Sequence, residues 1–234
     1  NGNKTVTVNI TVKTANYSIT SSSSTNYYET LAEAVIGATS GQTVKTLRNV
    51  TEKNSTVNID KTISIDTQTY TITNTALSVN SGDTLSLLGT GSLIGYGEAT
   101  IIIKGTLNIS TSVTIKGTGN YVASVKDGGI LNISSGKIDS SSATGGIMIE
   151  KNGKAIVKGG IITGDSQEII YNNGTLQVSG IAEINSTNKD VGKVIYNNGI
   201  LEIAETALIN WQSNIDENFN IYNDASGEMT VSGG

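Results

Sequence analysis

The sequence predicts an all-β chain wound as a right-handed, single-stranded parallel β-helix, a β-solenoid with three strands per coil and an N-terminal α-helical cap. Three observations predict it. The stretch "IIYNNGTLQV" at 169–178 returns as "VIYNNGILEI" at 194–203, and a looser copy, "IYNDASGEMTV", begins at Ile221. A glycine recurs at Gly82, Gly105, Gly129, Gly153, Gly174, Gly199 and Gly227, at intervals of 21 to 28 residues. After each of these glycines, apolar residues alternate with polar ones, the period of a strand with one buried face.

Each cycle divides into three strands. The first carries Leu85/Leu87, Leu107/Ile109, Leu131/Ile133, Ala155/Val157, Leu176/Val178, Leu201/Ile203 and Met229/Val231. A second follows at Leu93–Ile94, Val113/Ile115, Ile138, Ile161–Ile162, Ile181/Ile184 and Leu208–Ile209. A third closes the cycle at Ile101/Ile103, Val125, Ile147/Ile149, Ile170, Ile195 and Ile221. Short strands repeating without helices between them point to stacked coils, about 4.8 Å apart, in which like residues form columns. The columns Asn172/Asn197/Asn223 and Asn173/Asn198/Asp224 then read as corners, where Asn and Gly adopt left-handed turns and stacked amides bond between coils. The chain has no proline, in keeping with inner strands that must donate every ladder hydrogen bond.

At the N-terminal end, "YYETLAEAVIGATSGQTV" (27–44) reads as a cap helix over 30–40. Thr30 and Glu33 form a Thr-x-x-Glu capping box, Leu31, Ala34, Val35 and Ala38 share one face, and Gly41 ends the helix. Early strands follow at Val57/Ile59, Ile63/Ile65 and Ile72. The run "TLAEAVIGATSGQTVKTL", followed by "STVNIDKTISIDTQTYTI", resembles the opening of pectate-lyase-like right-handed β-helix domains of bacterial surface and secreted proteins. The resemblance spans roughly 28–75 by motif and the remainder by coil pattern. It implies an extracellular, cell-surface location.

Residues 1–18 read as a separate strand segment, 19–26 ("ITSSSSTN") as a Ser/Thr linker, and 27–234 as the β-helix. Within 4–13, Val6, Val8, Ile10 and Val12 alternate with polar residues. That strand is either the end of a preceding domain, an extra strand along the solenoid, or a donor that pairs with another molecule. The chain opens abruptly at Asn1, which reads as a mature or trimmed fragment. The last strand, with Met229 and Val231, has no visible cap. An unpaired strand and an open edge are complementary, so Val6, Val8, Ile10, Val12, Met229 and Val231 are the candidate assembly residues. The expected partners are copies of the same chain, neighbouring domains of the same chain, or an extracellular polysaccharide. The segment 204–220, with Trp211 and Phe219, could instead fold across the flank, with Trp211 as local packing.

Composition narrows the chemistry. Cys and His are absent, Arg48 is the one arginine, and the net charge is −5. Without His the commonest general base and metal ligand is missing, and without Cys there is neither a disulfide framework nor a thiolate zinc site. Scattered acids argue against a nucleic-acid surface, and no apolar run is long enough to span a bilayer. Enzymes of the resembling fold cleave acidic polysaccharides with clustered carboxylates, often through calcium. Here Asp127, Asp139, Asp165, Asp190 and Asp216 stand without an Asp at the matching place in neighbouring coils, and "NIDENFN" (214–220) reads as a solvated loop. No catalytic residue, metal ligand or cofactor is expected. The candidate ligand-binding residues are Tyr171, Tyr196 and Tyr222, taken as one outward column with Glu150, Lys104 and Lys126. That column is either a structural ladder or a platform for sugar rings. A second outward column, Ser86, Asn108, Asn132, Gln177 and Glu202, could line a glycan groove. The expected role is a non-catalytic structural or adhesive module, with a self-assembling filament subunit as the alternative and glycan binding or cleavage behind both.

Overall fold

The computed structural model describes residues 14–188, 192–211 and 219–232. The N-terminal part runs β1 (Tyr17–Thr20), β2 (Thr25–Tyr28), α1 (Leu31–Gly37), β3 (Thr43–Thr46), β4 (Val50–Ile59), β5 (Ile63–Asp66) and β6 (Thr71–Val79). Regular coils follow, three strands at a time. The first is β7 (Thr84–Leu88), β8 (Ser92–Gly95) and β9 (Ala99–Ile103), and the second β10 (Thr106–Ile109), β11 (Thr114–Gly117) and β12 (Tyr121–Val125). Next come β13 (Ile130–Ile133), β14 (Lys137–Asp139) and β15 (Gly145–Ile149), then β16 (Lys154–Val157), β17 (Ile161–Gly164) and β18 (Glu168–Asn172). The last are β19 (Thr175–Val178), β20 (Glu183–Ser186) and β21 (Lys193–Asn197), then β22 (Ile200–Ala204), β23 (Leu208–Trp211) and β24 (Phe219–Asn223), and finally β25 (Glu228–Ser232).

The chain is a parallel β-solenoid with three faces. Face 1 stacks β3, β5, β7, β10, β13, β16, β19, β22 and β25 in order. The long β4 and β6 pair in parallel and span a corner between two faces: Val50–Thr51 stack on Ile72–Thr73 and Ser55–Ile59 on Thr75–Val79, after which Thr71–Thr73 pair with β8 on face 2 and Leu77–Val79 with β9 on face 3. Face 2 continues through β11, β14, β17, β20 and β23, and face 3 through β12, β15, β18, β21 and β24. Registers are like-on-like: Leu85, Leu107, Leu131, Ala155, Leu176, Leu201 and Met229 form one unbroken column. These inward residues are almost entirely buried down to Leu201. Burying each large aliphatic chain contributes roughly 1.5–3 kcal/mol before the entropy of ordering is set against it. Met229 and Val231 occupy the same inward places yet stay 46% and 60% exposed, because no described coil covers them.

The glycine column exists for a different reason from the one expected. Only Gly82 of the set has a positive φ. At Gly174 a Cβ would collide with the carbonyl oxygens of Gly153 and Glu150, and at Gly199 with that of Gly174. Close approach of one coil's backbone to the next, not left-handed geometry, demands glycine there.

The N-terminal end corrects the expected boundaries. Residues 19–26 are not a tether. β1 and β2 form an antiparallel hairpin, closed by a hydrogen bond from the Ser21 N–H to the Ser24 carbonyl, and β1 pairs antiparallel with β3. Tyr17 and Ile19 explain it: both are buried and anchor the strand, while the serines turn in solvent. The cap helix is shorter than 30–40, spanning Leu31–Gly37, but its capping box is present. The Thr30 hydroxyl accepts from the Glu33 N–H, and the Glu33 carboxylate accepts from the Thr30 N–H. Leu31, Ala34 and Val35 face the core. The predicted strand over 4–13, with Val6, Val8, Ile10 and Val12, lies outside the described residues. Residues 208–211 and 219–223 continue faces 2 and 3 rather than crossing the flank, and the Trp211 side chain lies outside what is described.

One buried carboxylate ties hairpin, helix and coil together. Glu52, on β4, accepts from the Tyr17 hydroxyl at 2.7 Å and from the Leu31 N–H at 3.0 Å. Burial, then the hydrogen bond and charge of Glu52, push the Tyr17 phenol far above its ordinary pKa. Tyr17→Phe removes one charge-assisted bond at constant shape and is expected to cost about 1.5–3 kcal/mol in chemical denaturation.

Candidate functional site

The outward side of face 3 carries the aromatic column. Alternation along β18, β21 and β24 turns Ile170, Ile195 and Ile221 inward and Tyr171, Tyr196 and Tyr222 outward. Parallel pairing places the three tyrosines in direct register. The rings of Tyr171 and Tyr196 stack with centroids 4.7 Å apart and 6° between planes, and Tyr196 and Tyr222 at 5.4 Å and 25°. The rings therefore lie across the solenoid axis, each interior face covered by the next ring. They present edges, not faces, to solvent.

The remainder of the expected column does not belong to it. Tyr171 lies in register with Met148, and Met148 with Ser124, which itself follows Ile102. Glu150, Lys126 and Lys104 stand two residues further on, at the corner. Their equivalents there are Asn173, Asn198 and Asp224, as the N–H bonds from each residue to the preceding coil show. The displacement arises because Asn172 takes the inward place that Ile149 holds one coil earlier.

That inward amide starts the ladder. Asn172 and Asn197 are fully buried. The Asn172 side chain donates to the Asn197 oxygen at 2.7 Å, and Asn197 donates to the Asn223 oxygen at 2.6 Å. Asn172 also donates to the Ile200 carbonyl, and Asn197 to that of Glu228. A parallel outer rung runs from Asn198 to the Asn173 oxygen at 2.9 Å. The inner expected column is thus hydrogen-bonded throughout, while in the outer one Asn173 and Asn198 bond to each other and the Asp224 carboxylate bonds to Tyr196 instead.

Charges dress this face. The Lys193 ammonium lies 4.8 and 4.6 Å from the Tyr196 and Tyr222 centroids, beside the gap between the rings. The Tyr196 hydroxyl donates to Asp224 at 2.8 Å. That bond, with lesser contributions from burial and nearby charge, pushes the Tyr196 phenol up to about 12. Asp224 is held below the usual carboxylate range, first by the Ala225 N–H and then by Tyr196. Lys126 bonds to Glu98 and Glu150, each at 2.7 Å. Burial disfavours its charge, but the two carboxylates outweigh that and raise its pKa. Alongside runs a cleft of about 710 Å³ lined by Asp127, Glu150, Lys151, Tyr171, Asn173, Asn198 and Ser226. This cleft is not legible in the sequence, because its residues come from five successive coils and meet only when the corner register is known.

The second expected column lies on face 1 as Ser86, Asn108, Asn132, Gln177 and Glu202, but Ile156 interrupts it. Its members bond to one another, Asn132 to Asn108 at 2.9 Å and Gln177 to Glu202 at 2.6 Å. Among the described residues, no three acidic side chains are grouped as a metal site. Most of "NIDENFN" and Asp190 lie outside them. Asp139 sits on face 2 between Lys137 and Lys116, at 3.2 and 3.5 Å. No protein-family model matches the chain, and no curated protein or solved structure matches it.

Two outcomes follow for these polar groups. Asn197→Ala removes the oxygen that accepts from Asn172 and the amide that donates to the Asn223 oxygen and the Glu228 carbonyl, and is expected to cost about 2–3 kcal/mol in urea unfolding. Burial raises the Asp139 pKa, but the Ser141 hydroxyl and N–H and Lys137 bring it down to about 2. Since this lies below an unfolded aspartate at about 3.9, its stabilisation is complete above that pH and is lost as pH falls through about 2. Asp139→Asn should therefore lower stability by about 2 kcal/mol at pH 7, with the difference shrinking between pH 4 and 2.

Proposed function

We propose that this chain is a rigid, non-catalytic structural or adhesive module of a bacterial cell-surface protein. One observation supports it above all: from β7 to β25, each described strand repeats its predecessor in register, and outward groups such as Asn108 and Asn132, or Gln177 and Glu202, bond to their own equivalents. Such a rod leaves few backbone groups free to open locally, which suits exposure to proteases. The placement at a bacterial surface rests on the likeness of 28–75 to pectate-lyase-like β-helix openings, a fold-level analogy. Here that stretch forms α1 and the strands from β3 to β6. The winding is taken as right-handed, the hand that parallel crossovers adopt in about 98% of cases.

The alternative, a filament subunit, draws support from the uncovered rim of the last described coil, where Leu208, Met229 and Val231 are exposed. At the opposite end α1 packs against β4, and the β1–β2 hairpin extends face 1. Coil stacking through that rim alone would pair two copies tail to tail and close as a dimer, so a filament requires a second contact as well.

Antibody labelling of intact source cells, paired with incubation of the purified protein with uronate and neutral polysaccharides in calcium, tests the proposal. Labelled cells and unchanged polysaccharide are expected. Unlabelled cells whose lysate contains the protein, or release of unsaturated or reducing sugar, would overturn it.

A further inference from the structure

We propose that the cleft beside the Tyr171 ring binds a linear, neutral oligosaccharide laid along the solenoid axis. The lining residues come from consecutive coils: Asp127, then Glu150 and Lys151, then Tyr171 and Asn173, then Asn198, then Ser226. Four coil steps of about 4.8 Å give a polar track roughly 19 Å long. A pyranose unit advances a glycan chain by a similar length, so successive sugars would meet successive polar rungs.

The chemistry of the rungs points to hydroxyl groups. Carboxylates accept from vicinal hydroxyls, and amides both donate and accept. Asn198 is held on both sides, donating to Asn173 and accepting from the Ser226 hydroxyl, so the amide track is preorganised. Tyr171 begins the ring stack and presents its edge to the cleft it lines.

Charge selects for a neutral chain. Glu150 is bonded to Lys126, which also holds Glu98, and Asp127 and Lys151, of opposite charge, line the same cleft. No surplus of positive charge is left to attract a uronate polymer, and the carboxylates of Asp127 and Glu150 would repel one. The inference rests on the adhesive side of the proposed function; a folded protein that binds no sugar would overturn the cleft and leave the rigid rod standing.

Isothermal titration of the purified protein with cellohexaose, mannohexaose and N-acetylchitohexaose, and with hexagalacturonate, tests it. At least one neutral probe should bind in the millimolar range or tighter. The exposed double variant Asp127→Ala/Lys151→Ala, with its circular dichroism unchanged, should weaken that binding at least tenfold. Gln177→Ala, on face 1, should leave it unaltered. Absence of binding by all neutral probes, stronger binding of hexagalacturonate, equal binding by the double variant, or an equal loss in Gln177→Ala would each overturn the proposal.

Discussion

Like-on-like stacking between coils is the constraint on which the rest of this structure depends. Parallel strands separated by one coil rise force each residue to lie against its own equivalent. Apolar residues tolerate this well, since an aliphatic column fills space and excludes water. Polar residues tolerate it only if they can donate and accept along one direction. Asparagine can, which is why Asn172, Asn197 and Asn223 stand in a column that is buried at Asn172 and Asn197. A carboxylate column could not, because like charges would face each other at a few ångströms. Where Glu150 sits at a stacked corner, the equivalent residue one coil earlier is accordingly Lys126.

The same constraint explains what was legible in the sequence. Alternation and recurring glycines give the strand order, the three faces and the inward columns, because an inward residue has the same character in every coil. The capping box at Thr30 and Glu33 is local chemistry and reads directly. Column membership at the corners does not. Counting outward from Ile149 assigns Glu150 to the tyrosines, whereas the register aligns Ile149 with Asn172, an amide in an aliphatic's place. Composition misleads at 19–26 because the residues that hold that hairpin, Tyr17 and Ile19, sit at and before its edge. The Tyr17–Glu52–Leu31 junction joins three elements far apart in sequence, and nothing local to any of them announces it.

Glu52 also shows how the regular stack is closed at one end. The first coil cannot satisfy its upper edge with another copy of itself, so a different element must cover it. A short helix and a hairpin do so, and a single buried carboxylate shared between a phenol and a helix N–H fixes their placement. A charged group is tolerable there because its donors meet it in the same buried pocket.

The aromatic column limits where recognition can occur. A sugar ring packs on an aromatic face, and stacking covers the faces of Tyr196 against Tyr171 and Tyr222. The tyrosines that look most like a platform in sequence are therefore committed largely to one another, with Lys193 beside their edges. The amide and carboxylate rungs at the neighbouring corner also bond to their neighbours, Asn198 to Asn173 and Glu150 to Lys126, but each group there has more donor or acceptor sites than those bonds use. Periodicity that stabilises the fold when groups pair with their own kind becomes a ruler for an extended ligand where groups at the corner differ from coil to coil. Face 3 contains both situations a few ångströms apart, and the step from Asn172 to Asn173 is the step from one to the other.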